Sequence, residues 1–302
     1  MRNLVFVCSL FATFWAGTAL TEEKPLQIAR LEPDTQPDHS SVSDVWQELN
    51  PKKLKLRSAY ALVVDRTGNV VYAKQVNEPR PIASITKLMT AMVILDSSLD
   101  LQERITITKD DRDLLRLTGS RLKYGATLSR EKLIRLALMA SENRASNALA
   151  RTYPDGKEAF VEAMNRKARA LGMHDSRFAD PAGLDAGNVA SARDIVKMVR
   201  AAHAYAFIRE ATTTRSMSVR PYKGRGELKF GNTNRLLKNK AWAIQLSKTG
   251  YINEAGRCLV MQAEIADQPL VIVLLNSFGK LTPYGDSNRI RKWIEGGPAA
   301  GS

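Results

Sequence analysis

The chain has 302 residues, 44% of them apolar and 25% charged, which is ordinary for a globular protein of one large domain or two small ones. Its net charge of +14 reads either as a solvated basic surface or as the mark of a polyanionic partner such as nucleic acid, anionic lipid or an acidic wall polymer. No nucleic-acid motif and no basic stripe with interleaved aromatics occurs, so nucleic acid is not the expected partner.

Residues 1–19 read as a secretory signal. Arg2 supplies the positive start, Leu4 to Trp15 the apolar stretch, and Gly17-Thr18-Ala19 small residues for cleavage. The apolar run is shorter than the roughly 20 residues of a membrane span, so export with cleavage is expected and no permanent anchor. Cleavage removes Cys8 and leaves Cys258 as one cysteine without an internal partner; it lies in an apolar run and reads as a small core side chain rather than a reactive thiol. Residues 20–57 carry Pro25, Pro33, Pro37 and Pro51 and no sustained apolar period, as in a linker or a loosely docked extension.

From residue 58 to 295 the pattern is that of a folded domain. Ala59–Asp65 and Val70–Ala73 are short β-rich runs, and Arg66-Thr-Gly-Asn69 between them predicts a hairpin. Pro81 to Ile94 is apolar around its whole circumference, so as a helix it is buried. Residues 114–126 read as loops. Lys132–Ala140 is a second apolar helix with Ser129 as its N-cap, ending at Ser141-Glu142-Asn143. Helical runs follow at 145–151, at 157–171 (ended by Gly172) and at 191–206, with a turn-rich loop at Asp180–Asp185. Strands return at 243–252, 257–266 and 269–276. A helix near 286–295 closes the domain, and Gly296 begins a tail. Strands at both ends with helices between predict an α+β fold, its central antiparallel sheet pairing N-terminal with C-terminal strands around a helical block.

Two residues interrupt the apolar helix, Ser84 and Lys87. Three apart, they share a helix face. Burial lowers a lysine's proton affinity, and a neutral amine beside a hydroxyl is a base beside a nucleophile. Ser-x-x-Lys occurs at four places (Ser84, Ser120, Ser129 and Ser277), and only the first opens an apolar helix. Ser141-x-Asn143 occurs once and alone signals little beyond a helix end. Lys248-Thr249-Gly250 also occurs once and alone reads as a strand with a glycine bulge. Together and in this order, the three form the signature of penicillin-binding proteins and class A β-lactamases. The three histidines, His39, His174 and His203, fit surface or packing positions better than a catalytic base. No His-Glu-x-x-His or Cys/His set suggests a metal.

On these motifs the chain resembles the low-molecular-mass penicillin-binding proteins, above all their D-alanyl-D-alanine endopeptidase subgroup (the penicillin-binding protein 7 type). The stretches Arg80–Val93, Ala140–Ala145, Lys248–Tyr251, Asn232-Thr-Asn234 and Gly256–Met261 carry the likeness, which covers roughly 58–295. Glu142 departs from the signature's aspartate. The resemblance implies a β-lactamase/DD-peptidase-like fold and a periplasmic serine peptidase acting on peptidoglycan cross-links, without a cofactor and with β-lactams as covalent inhibitors. It implies Ser84 as nucleophile, Lys87 as its base and Ser141 as proton relay. It implies substrate contacts from Asn143, Lys248, Thr249 and Gly250, and an oxyanion hole from the backbone N–H groups of Ser84 and Tyr251. A D,D-carboxypeptidase, a β-lactamase and a catalytically silent wall-fragment or β-lactam sensor are the rival readings. The residue that activates the deacylating water is not identified.

Overall fold

The computed structural model describes residues 46 and 48–297. The expected signal segment, residues 20–45 of the expected linker and residues 298–302 of the tail lie outside them.

The first hairpin joins β1 (Ser58–Val64) to β2 (Val70–Lys74). Its turn is built by Asp65, whose Oδ1 accepts from the backbone N–H groups of Thr67, Gly68 and Asn69. A short β3 (Arg80–Pro81) leads into a single 3₁₀ turn, Ala83–Thr86, and then α1 (Lys87–Asp96). Ser84 therefore sits on the 3₁₀ turn and Lys87 is the first α-helical residue. The tighter turn keeps the two in reach of each other, because residues three apart eclipse on it.

The helical block follows. β4 (Arg104–Thr106) pairs with β5 (Thr127–Ser129); a 3₁₀ turn lies at Lys109–Asp111, and 114–126 holds no helix or strand, as its aperiodic sequence predicted. Ser129 caps α2 (Arg130–Met139) by accepting from Lys132 N–H. Asn143 does not end that helix. Ser141 takes a left-handed conformation (φ 58°), Glu142 caps the next helix, and Asn143 opens α3 (Asn143–Arg151). Next come α4 (Gly156–Ala170), β6 (Val189–Ala190), α5 (Ala192–Ala204) and α6 (Ala206–Thr213). The hairpin β7 (Ser216–Val219) and β8 (Leu228–Gly231) completes the block.

Three ten-residue strands finish the main sheet: β9 (Ala243–Ile252), β10 (Gly256–Ile265) and β11 (Gln268–Ser277). The order is β2-β1-β11-β10-β9, antiparallel throughout. N-terminal and C-terminal strands thus pair as expected. The last helix, α7 (Thr282–Glu295), starts four residues before the expected 286, with Pro283 in its first turn.

Alternation along the strands sorts the core into two layers. Leu62, Val64, Val260, Val271 and Val273 join the helical block. Ala61, Val63, Leu259, Met261, Ile272 and Leu274 face Ile290 and Ile294 of α7. Covered on both faces, these strands read as continuous apolar runs. The second layer also takes in Trp46, Leu49 and Leu54, so packing reaches N-terminal of residue 58. Trp46 Nε1–H donates to Asp65 Oδ2 at 2.9 Å. At the centre of the other layer, α1 packs against α2, α3, α4 and α5. All residues from Lys87 to Ile94 are buried, which is why this helix has no polar face.

Candidate active site

The site lies where the start of α1 meets the edge strand β9. Lys87 Nζ, fully buried, is 2.8 Å from Ser84 Oγ, 2.8 Å from Asn143 Oδ1 and 2.6 Å from Ala182 O. A neutral amine has two N–H groups and one lone pair. Donation to Asn143 and Ala182 uses the two N–H groups and leaves the lone pair for the Ser84 hydroxyl proton. Burial drives the Lys87 pKa down to about 7, against the opposing charges of Asp180, Glu142 and Asp113. That value places a substantial fraction in the basic form near neutral pH.

A second serine–lysine pair stands beside the first. Lys248 Nζ, also buried, lies 3.0 Å from Ser141 Oγ and 3.0 Å from Thr249 O. Burial, and then the charge of Lys87, hold its pKa well below the usual lysine range. Two ammonium groups in one dry site repel, so the first proton leaves the pair readily.

Loops fix these groups. Asp180 is buried and accepts from the N–H groups of Ala182 (2.5 Å), Gly183 (2.7 Å) and Asp185 (2.5 Å) and from Asn188 Nδ2 (2.7 Å). The turn so formed delivers Ala182 O to Lys87. It also presses Gly183 (φ 75°) against the 3₁₀ turn that carries Ser84, where a Cβ would come within 1.9 Å of Ala83 O. From the opposite side, a Cβ on Gly250 would lie 3.0 Å from both Ile82 O and Ser84 N. The β9 backbone therefore approaches Ser84 closely, which a side chain would prevent. Asp113 accepts from the N–H groups of Leu115, Arg116 and Thr118, all at 2.9 Å, and from Thr118 Oγ1 at 2.7 Å. Thr118 in turn accepts from Asn143 Nδ2 at 2.9 Å, which fixes the amide's orientation toward Lys87.

Ser84, Ser141, Asn143, Thr249, Gly250 and Tyr251 line one cleft of ≈ 600 Å³, and Lys87 and Lys248 underlie it. All eight residues named from the sequence are thus gathered at one place. Thr233, bonded to Thr249 Oγ1 at 2.7 Å, joins them. Its signal was Asn232-Thr-Asn234, quoted for the likeness without a role. Asp180 and Asp113 had no signal beyond turn-rich sequence, because their work is to hold loops. Glu142 is buried, accepts from Ser120 Oγ at 2.6 Å and caps α3. Cys258 is a core residue, its thiol pushed up to about 12 by burial. His203 is half-buried and faces Gln245 at 3.2 Å, remote from the Ser84 cleft lining.

A serine beside a buried lysine, under an antiparallel sheet whose edge strand carries Lys-Thr-Gly, defines the class of serine DD-peptidases and their penicillin-binding relatives. The family model described as D-alanyl-D-alanine carboxypeptidase matches residues 47–279. A D-alanyl-D-alanine endopeptidase of Pseudomonas aeruginosa is 46% identical over 82% of this chain and 80% of its own length. One from Escherichia coli is 43% identical over 80% of this chain and 79% of its own. Among solved structures, a Streptomyces DD-transpeptidase superposes with a TM-score of 0.74 at 25% identity, covering 80% of this chain and 98% of that one. A Mycobacterium tuberculosis D-alanyl-D-alanine carboxypeptidase gives 0.71 at 28% identity, over 79% and 91% of the two chains. The chain belongs to the D-alanyl-D-alanine carboxypeptidase family of serine peptidases.

Proposed function

We propose that the protein is a periplasmic DD-endopeptidase that hydrolyses D-alanyl cross-links in peptidoglycan. The observation that carries the reading is Lys87, buried and hydrogen-bonded so that its remaining lone pair meets the Ser84 hydroxyl. Ser84 Oγ attacks the D-alanyl carbonyl carbon while Lys87 takes the hydroxyl proton. The oxyanion is met by the backbone N–H groups of Ser84 and Tyr251. Ser141, bonded to Lys248, passes a proton to the amine as the C–N bond breaks, because an unprotonated amine leaves poorly. Water then attacks the ester carbonyl and the Ser84 Oγ–carbon bond breaks, which returns the serine and releases D-alanine's carboxylate. Asn143 orients the substrate amide, Thr249 bonds a substrate carboxylate, and Gly250 lets the peptide lie against β9. A β-lactam presents the same amide in a ring and acylates Ser84. The net charge of +14 suits a wall polymer rich in carboxylates, and a cleaved leader at 1–19 suits export.

A D,D-carboxypeptidase is the second reading, favoured by the family description itself. The deciding experiment is digestion of purified cross-linked peptidoglycan by the wild type and by Ser84→Ala, resolved by chromatography. The endopeptidase converts dimers to monomers and the variant does not. Pentapeptides trimmed to tetrapeptides with dimers intact would make it a carboxypeptidase instead.

A further inference from the structure

The cleft has two ends. Strand β9 runs through it, with Thr249 and Thr233 toward one end and Tyr251, Ile252 and Asn253 toward the other. If Thr249 takes the carboxylate on the leaving side of the scissile bond, the Tyr251 end receives the acyl side. Arg116 reaches the cleft from the loop held by Asp113. Its Nε–H donates to Leu184 O at 2.5 Å, and its Nη2 lies 2.9 Å from Glu254 Oε2. The two partners differ in freedom. The Arg116 side chain is 22% exposed and pinned by a backbone carbonyl, whereas Glu254 is 48% exposed on the turn between β9 and β10. Arg257 stacks on the Tyr251 ring at 4.1 Å and makes no ion pair among the described residues. This end of the cleft therefore offers two guanidinium groups to one movable carboxylate.

We propose that Arg116 is a specificity-determining residue that binds a carboxylate on the acyl side of the scissile bond, and that Glu254 occupies its guanidinium until such a substrate arrives. The inference rests on the DD-peptidase reading and names its substrate class: a peptide with a free side-chain carboxylate N-terminal to D-alanine. Leu184 O keeps the guanidinium aimed while the carboxylates exchange. A guanidinium presents a planar pair of N–H groups that matches a carboxylate, so the exchange conserves charge-assisted hydrogen bonds. Glu254 then acts as a competitor built into the chain, and substrates lacking the carboxylate gain nothing by displacing it.

The test uses the full chain and two synthetic cross-link peptides, in each of which a D-alanine is amide-bonded through its carbonyl to the side-chain amine of a diamino acid. They differ only in the residue before that D-alanine, which carries a free side-chain carboxylate or its primary amide. Expected for Arg116→Gln is a KM about tenfold higher for the acid peptide, the fold-change of one charge-assisted hydrogen bond, with less than a twofold change for the amide. Glu254→Gln lowers the acid peptide's KM about twofold to threefold, since it removes the competitor. Equal changes for both peptides in Arg116→Gln, or a raised acid KM in Glu254→Gln, would overturn the proposal in favour of a brace across the cleft. Failure of the DD-peptidase reading looks different: the wild type turns over neither peptide. In that case the peptides are run as competitors of fluorescent-penicillin labelling at Ser84. The acid is expected to inhibit better than the amide in the wild type and equally in Arg116→Gln, and equal inhibition in the wild type overturns the subsite.

Discussion

Seating Lys87 between Ser84, Asn143 and Ala182 moves its pKa from 10.5 to about 7, and that shift has two consequences at the scale of the residue. The first is catalytic. With Lys87 as the proposed base, acylation needs the neutral amine, so the second-order rate of β-lactam labelling is expected to rise as pH climbs through about 7. A rate that stayed flat from pH 5.5 to 8.5 would rule out Lys87 as the base. The second is energetic. The unfolded chain holds the proton up to about pH 10.5 and the folded chain loses it above about 7. Between those values folding releases a proton, so stability rises with pH. Below pH 7 the folded state carries the whole penalty, about 5 kcal/mol for a shift of this size. Replacing the lysine by methionine removes the penalty and the base together. Lys87→Met is therefore expected to lose acylation by a factor of about a thousand or more. Its stability relative to the wild type is expected to be greatest near pH 6.5 and to decline toward pH 9.5 in urea unfolding. A difference independent of pH would sink this account of the buried lysine.

Among the elements, the loop 180–188 shows how much of the site escapes a reading by periodicity. The buried helix and the strands β1, β10 and β11 announced themselves through apolar runs, because both faces of each are covered, and β9 through its Lys-Thr-Gly motif. Ser141-Glu142-Asn143 was legible as a motif but not as geometry, since a break between two helices looks like the end of one. Helix α6 and the β7–β8 hairpin escaped notice because they are short, eight residues and two strands of four, so no period runs long enough to stand out. Asp180 was hidden for another reason: it works through backbone N–H groups, which every residue type possesses. The structure makes Gly183 the sensitive point of that loop. Gly183→Ala forces a left-handed alanine into contact with Ala83 O and is expected to destabilise by about 3 kcal/mol or more and to slow acylation. Gly224→Ala is a control with the same sign of φ (66°) and no atom within 4 Å of its Cβ, and it should cost about 1 kcal/mol. Similar melting temperatures for the two variants would contradict a tight seat for Gly183.

At the scale of the molecule, the sheet is clamped at its N-terminal approach. Trp46, Leu49 and Leu54 are buried against the layer that holds α7, and Trp46 also satisfies Asp65. Each such side chain contributes about 1.5–3 kcal/mol when buried. A chain begun at residue 58 should accordingly unfold well below one begun at residue 40 in a thermal melt; coincident melting would make the segment a passive linker. The strong positive charge acts over longer distances. Cleavage of anionic wall fragments is expected to slow as salt rises from 50 to 500 mM, whereas a neutral D-alanyl peptide should be little affected.

The clasp at the sheet's centre sets a timetable for the nascent chain. Ser58 Oγ lies 2.7 Å from Ser277 Oγ across 219 residues of sequence, and Asp286 Oδ2 accepts from the Ser58 N–H and hydroxyl. Strand β1 has β11 as one of its two neighbours, and β11 is the last strand to be synthesised. The growing polypeptide consequently has a hairpin and a set of helices, but no five-stranded sheet to cover them, until nearly its whole length has emerged. Loop closure over such a separation is slow, and apolar strands wait exposed in the meantime. Closure of the five-stranded sheet therefore waits on β11, whose Ser277 must meet Ser58 of a strand made 219 residues earlier.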